Sequence, residues 1–323
     1  MKISVILPVH KITNNVIQCI DTIYSQIDSH ELIIVCDNQL EFNLNKKNLK
    51  IITAKNKLYA NGTRNLGAKY ASGNYLCFID SDIIIKKNFF SSIVKLIESS
   101  NIDILNFPID SEKSNNLFAI YKGLREKFDT SVYVKNFNQH IPFYGFACLF
   151  RKEVFIDLKG WPEGKNLDFI MEHEGFQEKI KLSQYKNEVA FDLSVDHYHH
   201  KNLKLFTNVA FRSFIWIKKK LNKDVDFDSF KSKRNIFVSA IAFFIPISLF
   251  YNYLIGLFCL FLFIYVKKNF YLFLFRNFNY LVKKFNLFSI LFIYILFNLI
   301  DILYHISILI GASVGILNFF IKK

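Results

Sequence analysis

Short apolar runs alternate with amphipathic stretches over the first two hundred residues. Lys2 to Val9 (KISVILPV) predicts a buried parallel strand closed by Pro8. Asn14 can cap a helix running to about Gln26, with Val16, Ile20, Ile23 and Ile27 on one face. Glu31 to Cys36 (ELIIVC) predicts a second strand ending at Asp37-Asn38, and Lys50 to Ala54 a third. Tyr59 to Ala71 predicts a helix whose first turn carries Asn61, Gly62, Arg64 and Asn65. Tyr75 to Ile79 is the fourth strand, Phe89 to Ser99 the next helix, and Asp103 to Ile109 (DILNFPI) the fifth strand. This alternation points to an α/β domain with a mostly parallel sheet and right-handed crossovers.

The pattern then loosens. Ser111 to Gln139 is polar, with a helix expected around Leu117 to Phe128. Phe143 to Phe155 returns to strand character, Gly160-Trp161-Pro162 is a turn, and Met171 to Leu182 predicts a helix with an acidic start. Glu188 to Val195 is the last expected strand, followed by Asp196-His197-Tyr198-His199-His200.

A different regime begins near Ile236. The stretch 236–266 contains no charged residue, well beyond the ~20 residues one crossing needs yet short for two full ones. Pro246 and Asn252 lie inside it, so a kinked span or a tight helical hairpin is expected. Lys267 to Phe285 is basic and aromatic, which suits a helix in a membrane interface. Phe285 to Ile321 is a second apolar run interrupted by Asp301 and His305, and Gly311 and Gly315 form a GxxxG pair that can pack helices. The expected organisation is a sheet domain over 1–230 and a membrane-associated helical region over 231–323.

Composition agrees with this division. Hydrophobic residues make up 52% of the chain and Phe alone numbers 37, which is high for a purely soluble protein. The net charge is +14, but within 231–323 the acids reduce to Asp301 while Lys and Arg flank the apolar runs. That is the pattern of cytoplasmic membrane flanks and not of a nucleic-acid surface. Hairpins that begin and end in the cytoplasm satisfy the charge bias. The cysteines (19, 36, 77, 148, 259) form no CxxC, which suggests reduced thiols and no zinc site. The opening MKISVILPVH holds too short an apolar run for a signal peptide.

The chemistry concentrates at one strand end, where Tyr75 to Ile79 runs into Asp80-Ser81-Asp82. Two carboxylates at i and i+2 meet near one point at the sheet's carboxyl edge, where open α/β sheets bind ligands. Hard oxygen ligands there suit Mg2+ or Mn2+, and such an ion neutralises a diphosphate.

SVILPVH at 4–10, VCDN at 35–38, RNLGAKYASGNYLCFIDSD at 64–82 and MEHEGFQEKI at 171–180 occur in that order. In this the chain resembles the family 2 glycosyltransferases, which have the GT-A fold, and among them the membrane-associated bacterial type. The resemblance covers roughly residues 1–200. It implies that Pro8, Val9 and His10 line a nucleotide pocket and that Asp37 reaches the base. It implies Arg64 near the base or diphosphate, Asp80 on the ribose side, and Asp82 as a ligand of Mn2+ or Mg2+. His197, His199 and His200 could add a metal or diphosphate ligand. Many relatives carry Glu-Asp at the later motif, where this chain has Glu172, His173 and Glu174. Each could take the acceptor proton, and a carboxylate favours Glu172 or Glu174; an imidazole titrates near pH ~6.5.

The resulting expectation is an inverting, metal-dependent glycosyltransferase of the inner membrane with its catalytic domain in the cytoplasm. Its donor is a nucleotide-diphosphate sugar and its acceptor a lipid-linked or cell-surface saccharide. A sugar nucleotidyltransferase is disfavoured because PVHKITNN lacks a Gly-rich, Arg-containing loop after the first strand. A non-catalytic, membrane-attached scaffold of the same fold is the alternative.

Overall fold

The computed structural model describes residues 1–37, 47–136, 143–163, 172–199, 203–222, 230–285 and 289–321. The chain divides into two compact units, one of Met1–Lys113 with Asp129–His199 and one of Ser114–Phe128 with His200–Lys323.

The first unit is built on β1 (Ile3–Val9), α1 (Asn14–Tyr24), β2 (Glu31–Cys36), β3 (Leu49–Thr53), α2 (Tyr59–Tyr70), β4 (Tyr75–Ile79), β5 (Ile83–Ile84) and α3 (Phe89–Ser99). It continues with β6 (Ile104–Asn106) and β7 (Ile109–Glu112). Helix α4 (Leu117–Asn136) begins in the second unit. Then follow β8 (Ala147–Arg151), α5 (Lys152–Asp157), α6 (Glu172–Leu182), β9 (Asn187–Val189) and β10 (Val195–His197). Among the described residues one sheet has the order β3-β2-β1-β4-β8-β6-β9. β1 runs parallel to β2 and β4, β2 to β3, and β6 to β9, while β8 is antiparallel to β4 and β6. The expected α/β sheet, mostly parallel, is therefore present.

Period-two alternation explains why these strands read as continuous apolar runs. Ile3, Val5 and Leu7 of β1 face one layer with Ile20, Ile23, Phe89 and Phe90, and Ile6 faces the other with Val35, Phe78 and Trp161. Gly67 lets α2 settle onto the sheet, because a Cβ there would lie 2.5 Å from Ile6 Cγ2 and 3.0 Å from Val35 Cγ2.

Three expected strands are corrected. Asp103 to Ile109 is not one strand: β6 lies in the large sheet and β7 in a second sheet of order β5-β10-β7. Pro108 has no N–H to continue a ladder, and its carbonyl accepts from Val195 N at 2.8 Å instead. Phe143 to Phe155 is strand only over β8, since Lys152 onward turns into α5 and buries Val154 and Phe155. Glu188 to Val195 splits at a 3-10 turn, Phe191–Leu193, which passes the chain from β9 in one sheet to β10 in the other. The helix expected over 117–128 runs on to Asn136.

The second unit contains the first half of α4, α7 (Lys204–Leu221), α8 (Phe230–Tyr251), α9 (Tyr253–Val266), α10 (Lys268–Arg276), α11 (Phe278–Lys284) and α12 (Ile290–Ile321). The run 236–266 is a helical hairpin. Asn252 is extended at φ −154° and caps α9 by accepting from Leu254 N at 3.0 Å. Val238, Ile241 and Ala242 then pack on Phe263 and its neighbours. The basic stretch 267–285 is two short helices, α10 and α11. Among the described residues α12 is long and apolar enough to cross a membrane alone, and α9 with α10 reaches that length but bends by 63°. Gly311 and Gly315 face α7, where a Cβ on Gly311 would come 1.9 Å from Ala210 O.

Asp301, fully buried in α12, is the polar centre of this unit. It accepts from Arg125 Nη1 at 2.6 Å, Lys267 Nζ at 3.1 Å, Tyr271 OH at 3.2 Å and the Tyr121 hydroxyl. His305, one turn on, meets Ser239 Oγ at 3.1 Å. A buried carboxylate is tolerable only with such company.

Candidate active site

The carboxyl ends of β1, β2 and β4 carry the polar groups that the apolar strands cannot. Asp37 follows β2, its N–H donating to Val9 O at 2.9 Å. Its Oδ1 accepts from Leu58 N at 2.7 Å, and its Oδ2 lies 3.6 Å from His10 Nδ1. The carboxylate so pins the entry to α2, where Tyr59 takes a left-handed φ of 57°. Val9 is buried, Pro8 half-buried and His10 exposed.

One turn into α2, Arg64 is 2% exposed and reaches the tip of β4. Its Nη2 donates to Asp80 Oδ1 at 2.5 Å and its Nη1 to Asn61 Oδ1 at 3.0 Å. The guanidinium lies 4.7 Å from the Trp161 ring. Asn61 donates to Pro162 O and Asn65 to Trp161 O, so the Gly160-Trp161-Pro162 turn is tied to the same helix. Gly160 takes φ +62°, which a side chain would strain.

Asp82 stands beside β10. Its Oδ1 is 3.4 Å from His197 Nε2, and its carbonyl accepts from Tyr198 N at 2.9 Å. Oδ1 is buried and, among the described residues, receives no hydrogen bond, while the side chain as a whole is 41% exposed. An oxygen in that state, next to an imidazole nitrogen, fits a divalent cation. Behind the pair, His199 Nδ1 meets Glu112 Oε2 at 2.5 Å. One ligand atom each from Glu112, His197 and His199 lies within 4.8 Å of the others, a group able to hold a metal ion.

The two aspartates titrate as neighbours. Burial pushes the Asp80 carboxyl above the usual range; Arg64 opposes this and Asp82 adds to it. Burial acts on Asp82 in the same sense, but His197 and His199 outweigh it and hold Asp82 below the usual range. Cys19, beneath the site, has its thiol pushed well up by burial and by Asp82.

The structure thus gathers Asp80 with Arg64, Asp82 with His197, and Asp37 with His10. Glu172, His173 and Glu174 open α6, and their side chains, like His200, lie outside the described residues. Glu112 is a site residue that sequence reasoning did not single out. It closes a short strand inside a polar stretch, and only the pairing of β7 with β10 brings it to the histidines.

Residues 4–159 match the model of glycosyl transferase family 2. The glycosyltransferase GlyG of Streptococcus pneumoniae is 24% identical over 132 residues, 38% of this chain and 44% of that relative. The UDP-Glc:alpha-D-GlcNAc-diphosphoundecaprenol beta-1,3-glucosyltransferase WfgD of Escherichia coli is 27% identical over 121 residues, 35% of this chain and 48% of that relative. The chain therefore spans under half the length of these curated relatives. The mannosyltransferase PcManGT of Pyrobaculum calidifontis, solved with GDP-Man and Mn2+, superposes with a TM-score of 0.54 at 13% identity. That likeness covers 99% of this chain and 88% of the neighbour, and shows the GT-A fold. The matched segment holds β1, β2, α2 and β4 with Asp37, Arg64, Asp80 and Asp82, and over it the chain carries a domain of glycosyl transferase family 2.

Proposed function

We propose that this protein is a membrane-attached, inverting glycosyltransferase that moves a sugar from a nucleotide-diphosphate donor to a lipid-linked or cell-surface saccharide. The observation that carries the reading is Asp82 Oδ1, buried, without a hydrogen bond among the described residues, and 3.4 Å from His197 Nε2 at the carboxyl edge of the sheet. Asp82, His197 and His199 would hold Mn2+ or Mg2+. When bound, the ion supplies the positive charge that stabilises a departing diphosphate.

The chain's own groups do the rest. Asp37 accepts an N–H of the base, with Pro8, Val9 and His10 lining that pocket. Arg64 keeps the Asp80 carboxylate turned toward the ribose. Glu172 or Glu174, with His173 between them, takes the acceptor hydroxyl proton as the oxygen attacks the anomeric carbon in line. The helical unit, with α12 of spanning length, supports an acceptor that resides in a membrane. The basic flanks of the apolar runs support an inner-membrane placement with the catalytic unit in the cytoplasm. WfgD is named for a diphosphoundecaprenol-linked acceptor, which supports the same acceptor class here.

The test is sugar transfer by membrane fractions from a panel of nucleotide sugars, with and without chelator. Transfer should require divalent metal and vanish in Asp82→Asn. Full metal-dependent transfer by that variant would overturn the assignment of Asp82. Donor binding without turnover would favour the scaffold. Carbonate washing should leave the chain in the membrane pellet, and its release would end the integral-membrane reading.

A further inference from the structure

We propose that Glu112 is a positioning residue that presents His199 Nε2 to the divalent cation, so completing a seat begun by Asp82 and His197. The inference rests on the metal reading above.

The small sheet is the device that brings these groups together. β5 starts one residue after Asp82, and its Ile83 pairs with His197 of β10. On the other side His197 pairs with Glu112 of β7. Ile83, His197 and Glu112 therefore form one row across three strands, and Lys113 N closes it on His197 O at 3.0 Å. Two residues beyond His197, His199 is buried, and its ring centroid lies 4.0 Å from that of His197.

Glu112 Oε2 accepts twice from His199, from the backbone N at 3.0 Å and from Nδ1 at 2.5 Å. One oxygen thus fixes both the main chain and the ring. A cation held between Oε2 and Nδ1 at about 2.1 Å from each, at a right angle, would keep them about 3 Å apart. The observed 2.5 Å is a proton's spacing, not a cation's. Glu112 is a buried carboxylate with its side chain 1% exposed, and a carboxylate only accepts. Nδ1 therefore carries the hydrogen, and in the neutral ring that a cation would bind, Nε2 carries the lone pair. A carboxylate behind a histidine orients the ring and strengthens it as a ligand.

The experiment uses the full chain in detergent. Mn2+ binding is followed by electron paramagnetic resonance in the wild type, Glu112→Gln, His199→Gln and Asp82→Asn. The wild type is also prepared with histidine 15N-labelled at either Nδ1 or Nε2, and nitrogen couplings to Mn2+ are read from electron spin echo modulation. Coupling to two Nε2 atoms is expected. Glu112→Gln should lose the same coupling as His199→Gln and bind Mn2+ about 10- to 100-fold more weakly. Coupling to a labelled Nδ1 of His199 in the wild type, which needs no variant to fold, overturns the proposal. So does a Glu112→Gln protein with both couplings and wild-type affinity, in which case loss of Mn2+ by Asp82→Asn leaves the metal reading standing. A wild type that binds no Mn2+ ends both.

Discussion

Arg64 Nη2 holds Asp80 Oδ1 at 2.5 Å, across the junction between the helix and the strand that carry the family's most recognisable block. The arginine is almost fully buried, so its charge depends on this partner and on the Trp161 face. Arg64→Ala should cost roughly 3 kcal/mol of stability, because it leaves a partly buried carboxylate without its cation. Arg64→Lys keeps the charge but loses the planar fork, and should recover less than half of that. Thermal unfolding in detergent measures both, and equal melting of Arg64→Lys and wild type would contradict the geometry.

Metal should stabilise the folded chain through Asp82. At a Mn2+ concentration one hundred times its dissociation constant the gain is about 2.7 kcal/mol. The wild type should melt higher with Mn2+ than with chelator. Asp82→Asn should melt at one temperature in both.

Glu31 predicts how the sheet unit fails in acid. Its carboxylate is buried, which alone would raise its pKa. Hydrogen bonds from Ser4, Ser72 and Lys50 outweigh burial and bring the value down to about 2. The unfolded chain binds this proton more readily than the folded one. The stabilisation is therefore complete above pH ~4.5 and disappears as the pH falls toward the folded value. Glu31→Gln should destabilise the neutral protein by roughly 1–3 kcal/mol. It should also flatten the stability profile below pH ~4.5, and a mutant curve as steep as the wild type would refute the assignment.

Gly311 should tolerate nothing larger. A Cβ there would lie 1.9 Å from the backbone oxygen of Ala210, which cannot rotate away. Gly311→Ala should cost about 2–3 kcal/mol through overpacking of α12 on α7. At the exposed Val314 on the same helix, Val314→Ala should cost well under 1 kcal/mol.

Asp301→Asn removes the carboxylate shared by Arg125, Lys267, Tyr121 and Tyr271. A loss of about 3–5 kcal/mol is expected, read as a lower melting temperature and faster proteolysis of the helical unit. Asp301→Leu should be no better, since the cations it faces stay buried.

Much of the first sheet was legible because its strands are buried on both faces and carry few polar interruptions. β2, β4 and α3 have the bounds that the pattern of apolar residues predicts. The pattern fails where one apolar run serves two sheets. Asp103 to Ile109 and Glu188 to Val195 look continuous, yet each leaves one ladder and joins another, because pairing partners are set by tertiary position. The family resemblance left His197 as one group that could add a ligand, and only the pairing of β10 with β5 brings its Nε2 to 3.4 Å from Asp82 Oδ1. Glu112 was illegible: an isolated Glu in a polar segment has no periodic signal, and its role comes from a partner 87 residues away. The break at Asn252 was visible as an interruption, but only its capping bonds separate a hairpin from a kink.

The Asp301 cluster bears on how the helical unit is made. Its carboxylate leaves the ribosome 176 residues after Arg125 and 34 after Lys267. α4 and the α9–α10 junction are therefore synthesised before the anion they share exists. The unit can lock only once α12 has joined them, which makes its completion a late event in folding.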